Sequence, residues 1–97
     1  MNRRVVITGM GVVAPNGTGL DAYEKALRGG VSGIRHVPLL EDLKFGCHVG
    51  GIPQGVDEIA AERFDEDELR AMNSSHRYGS IAALDAWTDA GFARPDR

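Results

Sequence analysis

One segment constrains this chain more than any other. Arg3-Arg4-Val5-Val6-Ile7-Thr8-Gly9-Met10-Gly11-Val12-Val13-Ala14 is rich in β-branched residues and shows no polar–apolar alternation. A strand of that kind is covered on both faces, the pattern of a parallel or central strand. Pro15-Asn16-Gly17 ends it in a turn. At the other end of the chain, a helix from Ser74 or Ser75 to Ala90 carries Tyr78, Ile81, Ala82, Ala83, Leu84, Ala86, Trp87 and Ala90, with Gly91 as its expected C-cap. Those residues cover most of the helix circumference, so several neighbours must bury it. A two-faced strand and an all-round apolar helix need more partners than the rest of the chain offers. Either the chain oligomerises intimately or it is the first part of a longer protein, and the second explains more.

Between these ends the elements are short. Thr18-Gly19-Leu20-Asp21 fits a helix start with Thr18 as N-cap, and Gly29-Gly30 closes that helix about eleven residues on. Residues 32–38 read as irregular, and Phe45 to Ile52 as a second, glycine-rich strand ending at Pro53. Residues 57–72 read as one broken helix or two short ones. Asp65 is the expected cap of the second, with Glu68 at the third position and Leu69 and Met72 as its buried contacts. The fold class is α/β.

Composition excludes several function classes. The 11 Lys+Arg against 14 Asp+Glu, a formal net charge of -3, leave no basic footprint for nucleic acid and no polybasic membrane patch. No apolar run is long enough to span a bilayer, and the segment after Arg4 lacks the core and cleavage site of a signal peptide. One cysteine in 97 residues rules out an internal disulfide framework and fits a reducing, cytoplasmic setting. Thirteen glycines, nearly double the typical share of about 7%, sit singly or in pairs between apolar segments, which points to tight turns and close backbone approaches.

Several motifs invite a chemical reading. Gly9-Met10-Gly11-Val12-Val13-Ala14 matches the G-x-G-x-x-A fingerprint of dinucleotide-binding oxidoreductases, but Val12-Val13 favours continued strand. Pro15 and Gly17 disrupt any helix that would meet a pyrophosphate, and no acidic ribose partner follows at the right distance. A structural role for the glycines fits better. Cys47 lies within the expected second strand and reads as a buried residue, with His48 on the opposite face. His36, His48 and His76 with Cys47 match no zinc spacing, so no metal is expected. Ser74-Ser75 read as helix-capping residues rather than nucleophiles. The acidic run Asp57, Glu58, Glu62, Asp65, Glu66, Asp67 and Glu68 reads as a solvated helical face rather than an acid–base pair.

The order of these features resembles a known family. The opening from Arg3 to Gly17, then Leu27, Gly29 or Gly30 and Ser32-Gly33-Ile34, then Met72 through Tyr78-Gly79, Ala82-Ala83-Leu84 and Asp89-Ala90-Gly91 are similar to the β-ketoacyl-acyl carrier protein synthases in three separated segments. The resemblance implies the N-terminal part, residues 1–97, of the first half of a thiolase-like α-β-α-β-α sandwich with mixed five-stranded sheets. It implies decarboxylative Claisen condensation of an acyl thioester with malonyl-carrier protein, without a cofactor, by a homodimer or a ketosynthase heterodimer. The family's nucleophilic cysteine and two histidines map beyond Arg97, so none of Cys47, His36, His48 or His76 is catalytic, and residues 1–97 alone are expected to be inactive. Related synthases carry basic residues just before the long helix to dock the acidic carrier. Here only Arg70 keeps such a charge, while Glu66 and Asp67 repel an acidic partner. That departure keeps open a second implication, a non-catalytic subunit like the chain-length factors of polyketide systems.

Overall fold

The computed structural model describes residues 2–95. The order is β1 (Val13–Ala14), β2 (Gly17–Thr18), α1 (Leu20–Arg28), β3 (Ile34–His36), α2 (Pro38–Asp42), β4 (Val49–Gly51), α3 (Val56–Arg63), α4 (Glu66–Arg70) and α5 (Ser74–Asp89). The α/β class holds. In place of a five-stranded sheet, the described residues form two antiparallel ladders, β1 with β2 and β3 with β4.

The opening segment departs most from expectation. Residues 2–12 are in no ladder, and the strand begins only at Val13. Strand structure exists through its neighbours' hydrogen bonds, and no described strand pairs with these residues; only the Val12 carbonyl takes a backbone hydrogen bond, from the Gly19 N–H at 3.0 Å. Val5, Val6 and Ile7 are accordingly 94%, 67% and 86% exposed. The chain then reverses over Pro15-Asn16, where the turn was expected, pairing Val13 with Thr18 and Ala14 with Gly17.

Local chemistry sets the helix ends. Gly19, not Thr18, precedes α1, because Thr18 is held in β2 and its buried hydroxyl finds no hydrogen-bond partner. The helix closes on Gly29, and Gly30 takes the left-handed conformation at φ 64. Residues 32–38 are more ordered than their irregular pattern suggests. β3 pairs Ile34, Arg35 and His36 with Gly51, Gly50 and Val49, and Pro38 starts α2 at the first helical position, where its missing N–H costs nothing. α2 ends at a left-handed Lys44 (φ 61), with the Phe45 N–H donating to the Leu40 carbonyl at 2.9 Å. That turn shortens the expected second strand to Val49–Gly51 and leaves Phe45 through His48 in a loop.

Asp65 caps α4 as expected. The Glu68 N–H donates to its Oδ1 at 2.8 Å, and the Asp65 N–H donates to Glu68 Oε2 at 3.0 Å. Leu69 packs on the core and Met72 is half-buried. For α5 the cap is Asn73 rather than a serine: its Oδ1 accepts from the His76 N–H at 3.0 Å, and the His76 ring Nδ1 accepts from the Asn73 N–H at 3.4 Å. Three consecutive cap-capable residues made the sequence ambiguous by one position. Asn73→Ala is expected to cost about 1 kcal/mol in denaturant unfolding of the full-length protein, and Ser74→Ala close to nothing; the reverse order would misplace the cap.

The core lies where α3 crosses α5. Val56, Ala60 and Ile81 are buried, with Val13, Ile59, Phe64, Leu69 and Tyr78 packed around them. Two ion pairs tie the same helices, Arg63 to Asp85 at 2.6 Å and Arg77 to Asp57 at 2.9 Å. Apart from Ala26 in α1, no other described apolar residue is buried. α5 in particular buries only Ile81, and Trp87 is half-exposed against Phe92.

Candidate functional site

The G-x-G-x-x-A glycines face α5. A Cβ built on Gly11 would strike the Ala82 carbonyl and lie 2.9 Å from the Ala86 amide nitrogen. One on Gly9 would strike the Ala86 carbonyl and lie 2.6 Å from the Ala90 nitrogen. Two residues along the segment thus correspond to four along the helix, so the backbone runs extended and antiparallel to α5 over a stripe of alanines. The Met10 N–H donates to Asp89 Oδ2 at 3.0 Å across the same seam. No helix starts after the glycines, because the β1–β2 hairpin follows at once. Their role is close packing against the α5 backbone.

The other glycines act similarly around the hairpin. A Cβ on Gly33 would come within 2.5 Å of Pro15, one on Gly51 within 2.8 Å of the Pro15 ring, and one on Gly17 within 2.9 Å of the α1 backbone at Ala22. The Pro15-Asn16 tip is therefore wedged against the β3–β4 ladder, with Asn16 Nδ2 donating to the Val31 carbonyl at 3.4 Å.

The candidate nucleophiles are not activated. Cys47 is exposed in the loop before β4, not buried in a strand, and its thiol turns toward the Val49 carbonyl at 3.7 Å. Ser74 lines a cleft of about 280 Å³ with Ile52, Val56, Asp57, Arg77 and Tyr78, and no imidazole lines it. A serine without a base beside it does not attack. The acidic run is mostly solvent-facing, and three of its seven members meet arginines: Asp57 holds Arg77, while Glu66 and Asp67 each approach Arg70 at 3.6 Å. Arg70 ends α4 and is exposed, just before the Asn73 cap of α5, with its guanidinium turned back along its own helix.

The histidines are arranged in a way their spacing hides. His76 is spent in the α5 cap. His36 and His48 come together although twelve positions separate them, because the β3–β4 ladder folds one beside the other. The Val37 N–H donates to the His48 carbonyl at 2.7 Å, and the two rings meet edge to face at 6.3 Å. Glu41, one turn into α2, places Oε2 2.9 Å from His36 Nε2. Donor atoms of the three side chains lie within 4.8 Å of one another.

No helix among the described residues is long and apolar enough to cross a membrane. The chain is 33% identical over 89 residues, 92% of its length, to a 3-oxoacyl-(acyl-carrier-protein) synthase 2 of Vibrio cholerae. It is 33% identical over 90 residues to the protein of that name from Staphylococcus aureus, again across 92% of this chain and 21% of the relative. A putative polyketide beta-ketoacyl synthase 2 of Streptomyces coelicolor is 34% identical over 95 residues, 98% of this chain and 22% of that protein. The chain thus spans about a fifth of the length of the curated relatives it matches. Residues 2–97 match the family described as Beta-ketoacyl synthase, N-terminal domain, and the chain belongs to that family.

Proposed function

We propose that residues 1–97 are the N-terminal part of the first thiolase-like half of a β-ketoacyl-carrier protein synthase, working in fatty-acid or polyketide chain elongation. In this reading an acyl group passes to a cysteine thiolate carried outside this stretch, malonyl-carrier protein loses carbon dioxide, and the resulting carbanion attacks the acyl thioester. Two histidines outside this stretch and backbone N–H groups stabilise the developing negative charge. The observation that carries the reading is the family match across residues 2–97. The partners are an acyl carrier protein with its acyl and malonyl thioesters and a second thiolase-fold subunit, the mixed five-stranded sheets are completed outside this stretch, and the setting is the cytoplasm.

Within this stretch the contribution is scaffolding. The amino-terminal segment is laid along α5 by the glycine seam, and its unpaired edges are the place for neighbouring strands. Arg70 supplies the carrier-facing positive charge of the patch before α5. Its contacts with Glu66 and Asp67 favour a second reading, a chain-length-factor-like subunit that leaves carrier docking to its partner.

Incubating the full-length protein with acyl-carrier protein and labelled malonyl-carrier protein tests both. Label in a β-ketoacyl product, with carbon dioxide released, supports the synthase. No product alone but product on adding a ketosynthase partner supports the second reading, and no product in either case overturns both. In an active synthase, Arg70→Glu should raise the KM for the carrier substrate severalfold with kcat held; an unchanged KM would move docking off this patch.

A further inference from the structure

We infer that His36, Glu41 and His48 form a binding site for a divalent ion of the zinc type, independent of any condensing chemistry. Two imidazoles and a carboxylate are the borderline donors such an ion takes, while magnesium and calcium prefer oxygen alone. The three residues come from separate pieces of chain that the fold fixes against each other. His36 ends β3, the backbone of His48 is pinned to Val37 by the 2.7 Å hydrogen bond, and α2 starts at Pro38 with Glu41 in its first turn.

The donors are already close to the required spacing. They lie within 4.8 Å of one another, and an ion bound at about 2.0–2.2 Å holds its ligands roughly 3–4 Å apart. The His36–Glu41 contact, at 2.9 Å, is just short of that range. The His48 donor lies no more than 4.8 Å from the other two and has to close in on them. The rings stand at 86° to each other, so they do not stack, and the ion takes the place of the proton between His36 Nε2 and Glu41 Oε2. The side chains of His36 and Glu41 are 55% and 59% exposed, which leaves an entry path and room for water at the remaining positions. The Glu41 carboxylate offsets half of the ion's charge. Cys47, next to His48, is not one of the ligands: its thiol turns to the Val49 carbonyl.

The test uses the full-length protein, stripped with a chelator and titrated with Zn²⁺ alone, with bound metal counted after gel filtration. Wild type should retain one more Zn²⁺ per chain than a His36→Gln/His48→Gln double variant, which keeps side-chain size and amide polarity at a surface site. Glu41→Gln should weaken uptake by about tenfold or more. Cys47→Ser should leave it unchanged, and excess Mg²⁺ should not compete. Equal metal counts in wild type and the double variant, or unaltered affinity in Glu41→Gln, overturn the site. Loss of the ion in Cys47→Ser overturns the ligand set, and displacement by Mg²⁺ overturns the choice of ion.

Discussion

Replacing Gly11 with valine should cost the full-length protein about 3 kcal/mol or more, at or beyond the upper end of ordinary overpacking. The cost is high because the obstruction is backbone: a Cβ at Gly11 would meet the carbonyl group of Ala82 and the amide of Ala86. Side chains can rotate away, but a helix carbonyl moves only if the helix moves. Even Gly11→Ala should lower the unfolding midpoint clearly. Gly46 is the control, since a Cβ there meets nothing within 4 Å, and Gly46→Ala should fall within about 0.5 kcal/mol of wild type. Equal behaviour of Gly11→Ala and Gly46→Ala in a chemical melt would show that the seam does not exist.

The second large effect concerns residues 1–97 in isolation. They should unfold without a cooperative transition, bind a hydrophobic dye, and associate as concentration rises. Among the described residues four apolar ones are buried, whereas Val5, Ile7, Leu39, Leu43 and Phe45 are all more than half exposed. The Cα radius of gyration is 16.5 Å, against about 13 Å for a compact chain of this size. Exposed apolar area on that scale is a surface awaiting cover. A sharp, concentration-independent melt of a species that sediments as a monomer would overturn the expectation.

Much of this architecture was legible in the sequence, and its misreadings have physical causes. Local signals were reliable where one residue decides: the Asp65–Glu68 box, the Gly29-Gly30 stop, the turn at Pro15-Asn16 and the extent of α5 all depend on neighbours a few positions away. The opening run has the composition of a central strand, yet strand pairing is a property of partners, and residues 2–12 have none among the described residues. β3 escaped notice because three residues are too few to show a period. Cys47 has the sequence context of a buried strand residue, but the left-handed Lys44 turn delays the ladder to Val49 and leaves the cysteine in a loop. The His36–Glu41–His48 cluster was invisible to spacing rules, since a ladder, not a helix repeat, brings its members together. The Val49-Gly50-Gly51 run facing Ile34-Arg35-His36 was the one signal that would have paired them. The closeness of Gly9 and Gly11 to α5 was legible only as a surplus of glycine.

The seam also works as a ruler. A two-residue step of extended chain advances about 6.6 Å and a four-residue step of helix about 6.0 Å, so glycines two apart meet alanines four apart nearly in phase. Sliding the segment by one residue would press Met10 onto the alanine stripe. Sliding it by two toward the start of α5 would bring Ile7 to the place Gly9 holds. Only one offset puts both glycines where there is no room for a side chain. The amino-terminal segment thus receives its direction and alignment from a helix some seventy residues away, before any strand is present to hydrogen-bond with it, and a single-residue insertion between Gly9 and Gly11 would leave no alignment that fits.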